Sequence, residues 1–356
     1  MSQDLGRHIR KRITQEEFDI LSRLRENPNF AQFLSHVDSN GIDPSEVSQY
    51  WHKSRHYSVM VKPKQVSVER VIEDAIKRID SYSPKPFKRI VRFKGSDPHC
   101  LVLDPADAHI GKLSVASETG ESYGIDKAVS TVESAMYGII RKSEGYNLDK
   151  VIFVIGNDIL HTDTPRRTTT SGTPQDTDGM WHTAFDAALS MYIRAIEMFM
   201  SACDVHVVFN PSNHDYMSGY MLAKAIGAAF RGSENVTFDI DIRHRKYTVY
   251  GKNLIVTSHG DGAKLNDMPM IVAHEQPKVW GECPYRYVYL HHIHHKQTHK
   301  FMSGKDLIGL TVEYVRSPSP SDGWHDRNGF VGAKKAVEAF IHCPDNGQVA
   351  RITHHV

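Results

Sequence analysis

Five short polar groups contain the residues of this chain whose types and spacing could do chemistry. Each group contains Asp, Asn or His and follows a short apolar run. In chain order the groups supply Asp107 and His109, Asp158 and His161, Asn213 with His214 and Asp215, His259, and His292 with His294. Imidazole nitrogens with carboxylate and carbonyl oxygens suit Mn, Zn or Fe, and cysteine is absent from every group, which argues against a structural zinc site. One such histidine alone is more often a polar loop residue, but the five groups together predict a metal centre.

The spacing within these groups predicts a centre with two metal ions. Asp107 and His109 are two residues apart, as are His292 and His294. In an extended segment both members of such a pair point to the same side, so both can reach one cluster. A carboxylate can bridge two cations that lie about 3.5–4 Å apart, and Asp158 is the predicted bridge.

These groups need a scaffold that brings the ends of several strands together. Short apolar runs alternate with long polar or helical stretches, which predicts an α/β layered fold. The predicted strands are Leu101–Leu103, Val151–Ile155, Val205–Phe209, Leu254–Thr257 and Tyr287–Leu290, and the predicted helices span 124–143, 176–202 and 216–231. In open α/β sheets the carboxyl ends of the strands line the ligand crevice. The five polar groups are therefore expected to converge there.

The segments on either side of this core predict further elements. After residue 300 we expect strands at 307–315, 335–342 and 349–354, the last two at a sheet edge, and a Trp324 side chain packed in the core. Before the core, residues 13–37 and 65–82 predict helices, and a short helix should end near Tyr50-Trp51. The prolines of the segment 83–86 then interrupt the chain. We place the domain boundary between a mainly helical accessory region (1–95) and the α/β domain (96–356).

Length and composition restrict the class of protein. The chain has 356 residues, of which 40% are hydrophobic and 24% are charged, and these proportions exclude collagen-like, coiled-coil and fully disordered chains. The accessory region carries 18 Lys and Arg against 12 Asp and Glu, so it is basic although the whole chain has a net charge of only +1. The sequence has neither a run of 18 apolar residues nor an apolar signal core, which predicts a cytoplasmic protein with no membrane partner. The four cysteines are far apart and are expected to be reduced thiols.

The order of the five groups resembles that of the calcineurin-like metallophosphoesterase superfamily. Its pattern runs D-x-H, G-D-x-x-(D/H/Y), G-N-H-(D/E), H and G-H-x-H, and residues 98–300 follow it in that order. The resemblance implies a four-layer sandwich in which helices flank two packed mixed β-sheets. Three glycines of the pattern are replaced here, by Asn157, Ser212 and His291.

The resemblance also implies a role for each residue. The expected ligands are Asp107, His109 and His294 for the first metal, Asp158 as the bridge, and Asn213, His259 and His292 for the second. Mn²⁺ is the metal that we expect at both sites, with Zn²⁺ or Fe as alternatives. His214 matches the catalytic histidine of the pattern, and Asp215 follows it. His161 stands three residues after the bridge, which is similar to the nuclease branch that includes the nuclease subunit of double-strand-break repair complexes, where this histidine helps to position the scissile phosphate.

We therefore predict a two-metal phosphodiester hydrolase, a nuclease acting on DNA, in which a metal-bridging hydroxide attacks phosphorus in line. Arg166 and Arg167 lie in a Thr-rich loop (162–178) and would pair with backbone phosphates, although a flexible solvated loop is equally compatible with the sequence. The chain as a whole resembles bacteriophage-encoded members of the superfamily, which would act in the host cytoplasm, and an oligomer is expected by analogy alone. Two alternatives stay open: a phosphomonoesterase or small-nucleotide phosphodiesterase, and a non-catalytic nucleic-acid-binding or scaffold protein that keeps the fold.

Overall fold

The computed structural model describes residues 50–53, 58–61, 77, 97–292, 304–329, 332 and 334–356. Contacts between Cα positions divide the chain into two compact units, Met1–Val71 and Ile72–Val356. In the first unit, strands β1 (Tyr50–Lys53) and β2 (Ser58–Val61) pair in an antiparallel hairpin.

The β1 strand corrects one sequence-based expectation for the N-terminal region. A helix that ends near Tyr50-Trp51 is wrong, because aromatic and β-branched residues in β1 and β2 favour a pleated pair. Lys77 is helical, as predicted. The rest of the predicted helices 13–37 and 65–82, the interruption at 83–86 and the boundary near residue 95 lie outside the described residues.

The second unit alternates strands with helices, as the sequence predicts. Its strands are β3 (Pro98–Asp104), β4 (Asn147–Gly156), β5 (Asp204–Asn210), β6 (Val236–Asp239), β7 (Lys246–Tyr250), β8 (Asn253–Thr257), β9 (Tyr285–Leu290), β10 (Gly304–Leu307), β11 (Leu310–Tyr314), β12 (Ala336–Cys343) and β13 (Gly347–His355). Its helices are α1 (Ala116–Thr119), α2 (Ile125–Lys142), α3 (Trp181–Met200), α4 (Tyr216–Ala229), α5 (Met268–Glu275), α6 (Pro277–Glu282) and α7 (Gly323–Arg327), with a 3₁₀ turn at Leu265–Asp267.

These strands form two mixed sheets. The six-stranded sheet has the order β13-β12-β3-β4-β5-β6, in which β3 to β6 are parallel and β12 and β13 are antiparallel. The five-stranded sheet has the order β10-β11-β9-β8-β7, in which β11, β9 and β8 are parallel. The strands predicted at 335–342 and 349–354 are confirmed as β12 and β13, with β13 at the edge of the larger sheet.

The alternation of side chains along the strands builds the core between these sheets and the helices. Leu101 and Leu103 of β3 join a cluster with residues of α2, α3 and α4, whereas Cys100 and Val102 join a cluster that also includes residues of β8 and β9. Leu254 and Val256 of β8 pack instead with α5. Because successive side chains of a strand point to opposite faces, β3 and β8 each contribute side chains to two hydrophobic clusters. The second unit is therefore an α/β sandwich of two mixed sheets and helices.

Three local expectations are wrong. Helix α3 begins at Trp181 rather than near 176, because Gly179 has a positive φ of 82° and Met180 is extended. The predicted strand 307–315 is a hairpin of β10 and β11 that turns at Ile308-Gly309. Trp324 is 63% exposed on the short helix α7 and is not a core residue.

Two other expectations concern chemistry and membranes. The four cysteines are free thiols, and three of them are buried, as predicted. Among the described residues, no helix is long and apolar enough to cross a bilayer.

Candidate metal centre

The carboxyl ends of strands from both sheets meet at one edge of the sandwich. The amide of Asn210, at the end of β5, donates to the carbonyl of Thr257, at the end of β8, over 3.0 Å. The backbone N–H of His291, after β9, donates to the carbonyl of His259 over 2.9 Å. The first contact joins the two sheets, and the second joins neighbouring strand ends of the five-stranded sheet, so the polar groups begin at one edge, as their positions after the strands predict.

Two groups of potential ligands overlap at one carboxylate. Asp107, His109 and Asp158 offer ligand atoms that lie within 4.8 Å of one another, and so do Asp158, His259 and His292. Asp158 belongs to both groups, which is the position predicted for a bridge. His294, expected with the first group, lies outside the described residues.

The second group crowds several electron-rich atoms around one ring nitrogen. His259 Nε2 lies 2.9 Å from Asn213 Oδ1, 3.2 Å from Asp158 Oδ2 and 3.2 Å from His292 Nδ1. One N–H cannot serve three such neighbours at once. Asp158 Oδ2 is buried and accepts no well-aligned hydrogen bond, which is unusual for a buried polar atom. A shared cation would satisfy all of these atoms, so the donor set fits a metal.

Three histidines form a second cluster beside the first group. The rings of His109 and His161 approach with their Nδ1 atoms 3.4 Å apart, and the His214 ring lies with its centroid 4.7 Å from that of His109. His214 Nδ1 donates to the carbonyl of His161 over 3.0 Å, which leaves Nε2 as the ring nitrogen available to exchange a proton. The backbone N–H of His214 donates to Asp158 Oδ1 over 2.9 Å. The predicted catalytic histidine is thus tied to the predicted bridge.

The backbone adopts rare conformations at these residues. Positive φ angles at residues other than glycine occur, within the described residues, at Asp107, His109, Asn157, Asp158, His292 and Arg167. Five of the six belong to the strand ends at the centre, with φ between 47° and 68°. Left-handed backbone is costly for a residue with a side chain and concentrates at functional sites.

The loops that follow β3 and β4 are held together by backbone hydrogen bonds. The N–H of Asp107 donates to the carbonyl of Asn157 over 2.8 Å, and that of His109 donates to the carbonyl of Asp158 over 3.0 Å. The N–H of His161 donates in turn to the carbonyl of Ile110. This ladder fixes the first group of ligands as a unit.

The carboxylates and imidazoles shift one another's protonation. Burial raises the pKa of Asp107 to about 6, although His259 and His291 oppose the rise. Burial would lower the pKa of His259, but the carboxylates of Asp158 and Asp107 outweigh it and raise this pKa to about 9. Burial would raise the pKa of the Asp158 carboxyl, but His259 and His214 outweigh this effect and hold the pKa well below the usual range. The carboxylates of Asp158 and Asp107 therefore favour a positive charge beside them, which a cation would also supply.

His161 and Asp215 lie beside the ligands but differ in their contacts. Burial, together with the charges of His214 and Lys112, lowers the pKa of His161 to about 3. Asp215 is buried and accepts from the Ser212 hydroxyl over 2.5 Å and from the Leu160 N–H over 2.9 Å. Burial raises the pKa of Asp215 to about 7. These contacts support the loop that carries the bridge, and none of them involves the His214 ring.

The Thr-rich loop has defined contacts next to the centre. The N–H of Thr170 donates to the carbonyl of Asn213 over 3.2 Å. Asp163, which is buried, accepts from the N–H groups of Met217 and Ser218 in the first turn of α4. Arg166 and Arg167 are exposed on this loop. These contacts hold the loop at Asp163 and Thr170, on either side of the two arginines.

The late segment before α7 is also attached to the centre, through contacts of Ser317 and Lys112 that the sequence does not reveal. Ser317 Oγ donates to the carbonyl of Asp107 over 2.9 Å. The buried Lys112 donates to the carbonyl of Pro320 over 2.7 Å and lies 3.3 Å from Asp322 Oδ2. The partners are about 210 residues apart in sequence, so no local signal could have identified them.

Comparison with known proteins gives no family for this chain. No protein-family model matches the chain, and the search of curated proteins finds no match either.

Proposed function

We propose that this chain is a two-metal phosphodiester hydrolase with the four-layer sandwich of the calcineurin-like superfamily, and that DNA is its substrate. The observation that carries this proposal is the position of Asp158, which belongs to two separate groups of potential ligands. A carboxylate shared in this way is what a pair of cations about 3.5–4 Å apart requires.

The chain's own residues define the two sites. Asp107, His109, Asp158 and His294 would hold the first cation, and Asp158, Asn213, His259 and His292 the second. This mixture of nitrogen and oxygen donors suits Mn²⁺, with Zn²⁺ or Fe as alternatives. When bound, two divalent cations neutralise phosphate oxygens and lower the pKa of a water that can then act as the nucleophile.

His214 would supply the proton for the leaving oxygen. Its Nδ1–H donates to the carbonyl of His161, so Nε2 is the atom that would hold and deliver the proton. Its backbone N–H is bound to Asp158, so the ring keeps a fixed place relative to the bridge. His161, which packs against His109 and His214, would orient the phosphate as a neutral donor.

Two surfaces next to the centre favour a nucleic-acid substrate. Arg166 and Arg167 are exposed on the anchored Thr-rich loop, where they can pair with backbone phosphates. Trp324 is exposed on α7, whose preceding residues are attached to the Asp107–His109 loop. An exposed aromatic ring can provide a platform on which a base stacks.

A substrate panel tests the proposal. The metal-free protein is incubated with Mn²⁺ and, in turn, with single-stranded DNA, duplex DNA, RNA, bis-p-nitrophenyl phosphate and p-nitrophenyl phosphate. We expect DNA cleavage that a chelator abolishes, with binding that weakens as salt rises. Preference for the monoester would replace the proposal with a phosphatase, and absence of turnover with Mn²⁺, Zn²⁺ and Fe would leave a binding or scaffold protein.

A further inference from the structure

A buried carboxylate at the end of β3 connects the backbones of two predicted ligands. Asp104 accepts from the Asn157 amide, whose Nδ2 lies 3.2 Å from each carboxylate oxygen. His291 Nε2 lies 2.6 Å from Asp104 Oδ2. All three side chains are at most 1% exposed. The cluster therefore spans the ends of β3, β4 and β9 without access to solvent.

The two partners of Asp104 each precede a predicted ligand. Asn157 is followed by Asp158, and His291 is followed by His292. Asn157, Asp158 and His292 have positive φ angles of 53°, 60° and 68°. Asn157 and His291 stand where the superfamily pattern has glycine. Glycine takes left-handed backbone without steric cost, and asparagine is one of the few other residues that visit it. At Asn157 the side chain is bound to Asp104, and the backbone N–H donates to the carbonyl of Asn210.

Stability alone is a poor explanation for this carboxylate. A buried ionic group loses its hydration, and well-packed apolar residues often serve stability as well or better. The carboxylate also sits three residues before Asp107, whose N–H donates to the carbonyl of Asn157. Asp104 thus connects the segments that carry ligands of both predicted metal sites.

We propose that Asp104 is a positioning residue of the metal centre, which holds Asp158 and His292 in place through Asn157 and His291. This inference rests on the proposed function, since it assumes that Asp158 and His292 are ligands. Partners that orient the ligands of a metal site typically change metal affinity about 10- to 100-fold when they are mutated.

The test compares two buried carboxylates on adjacent strands. Asp104→Asn keeps the shape but leaves one amide oxygen in place of two charged oxygens. Glu338→Gln is the matched control, because Glu338 lies opposite Asp104 in the pairing of β12 with β3 and is equally buried. Glu338 binds Arg351 and Arg316, not the ligand segments. Mn²⁺ affinity and stoichiometry are measured by titration calorimetry of the metal-free proteins, and unfolding midpoints are measured in chelator.

We expect Mn²⁺ binding to weaken at least about tenfold in Asp104→Asn and to stay within about twofold of the wild type in Glu338→Gln, even if both variants lose similar stability. Wild-type affinity in Asp104→Asn, or equal weakening in both variants, would overturn the inference.

A second variant covers the case in which Asp104→Asn does not fold. Asn157→Gly removes one partner of Asp104 while the backbone keeps its access to positive φ. We expect Mn²⁺ binding to weaken about tenfold in this variant, the lower end of the range for such partners, and unchanged affinity would contradict the inference. If the wild type binds two Mn²⁺ and cleaves DNA while these variants bind Mn²⁺ normally, only the inference about Asp104 is contradicted. If the wild type binds no Mn²⁺, both the inference and the proposed function are contradicted.

Discussion

Two histidines of this molecule are equally buried and behave in opposite ways. His342, on β12, lies between the sheets, with its Nε2 2.7 Å from the Tyr289 hydroxyl and its Nδ1 3.3 Å from Asn253 Oδ1. Both of its ring nitrogens have neutral partners, and burial lowers its pKa to about 3. His259 has the carboxylates of Asp158 and Asp107 nearby and a buried Nδ1 without a hydrogen bond, and its pKa rises to about 9.

The comparison shows what distinguishes the candidate metal centre from a polar core. Burial alone favours a neutral histidine, as at His342. At His259 the neighbouring carboxylates reverse the direction of the pKa shift. Asp158 Oδ2 and His259 Nδ1 are buried there without a hydrogen-bond partner. Unsatisfied buried polar atoms are costly, and the unpartnered atoms of Asp158 and His259 at this sheet edge support the proposed cation site.

The largest effect is expected when the carboxylate that distinguishes these two environments is neutralised. Asp158→Asn should empty at least one metal site, because the residue belongs to both ligand groups, and turnover should fall to that of the chelator-treated protein. Metal content and DNA cleavage are measured together. Asp149→Asn, at the other end of β4, is the control and should keep both. Two metals bound with wild-type affinity in Asp158→Asn would remove the bridge from the account.

A smaller effect is expected from the histidine that touches both the bridge and His161. His214→Ala should retain the metals but lower turnover by about 10²-fold or more, which is the range for one general acid. His206→Ala, on β5, removes a partly exposed histidine from outside the cluster and should be neutral. Normal turnover in His214→Ala would exclude His214 from the mechanism.

Removal of the exposed Trp324 side chain should affect cleavage of DNA but not of a small phosphodiester. Trp324→Ala should raise KM for single-stranded DNA about tenfold, since stacking of one base on an aromatic ring is worth about 1–3 kcal/mol. Cleavage of bis-p-nitrophenyl phosphate should not change. Tyr137→Ala removes a side chain that is 58% exposed on α2 and serves as the control. Equal losses on both substrates would show that Trp324 supports the fold rather than the substrate.

The smallest effect is a difference in how the two histidines respond to pH. The raised pKa of His259 means that, without metal, its protonated form stabilises the fold fully below its ordinary pKa of 6.5 and loses this contribution as pH rises through about 9. The lowered pKa of His342 means that its neutral form stabilises the fold above pH 6.5 and loses this contribution as pH falls towards 3.

Urea unfolding in chelator measures this difference between pH 5 and 9. The destabilisation by His259→Gln should shrink by roughly 1 kcal/mol or more as pH rises from 6.5 to 9. The destabilisation by His342→Gln should shrink as pH falls below 6.5. A change in the same direction for both variants would break the comparison between the two environments.

The parts of the molecule that could be predicted from sequence are those with local signals. Central strands such as β4 and β8 are buried on both faces and read as apolar runs. The residues of the centre follow directly after these runs, so their order was visible. The supporting contacts were not, because they join distant segments: Asp104 binds His291, 187 residues later, and Lys112 binds Pro320, 208 residues later.

The exposure of Trp324 also could not be predicted from the sequence. A tryptophan is usually buried on average, and Trp324 was expected in the core for that reason. Its position on a helix of five residues, none of them buried, could be seen only from the fold. The same holds for the start of α3, where tertiary contacts of the preceding loop override the helical pattern.

The most direct test counts the metal ions and asks whether they share a ligand. Metal-free wild-type protein is loaded with Mn²⁺, its metal content is determined, and its electron paramagnetic resonance spectrum is recorded. We predict two Mn²⁺ per chain with a spectrum of two exchange-coupled ions, as expected for cations about 3.5–4 Å apart. One Mn²⁺ per chain, or two ions with independent spectra, would contradict the shared position of Asp158 on which the account depends.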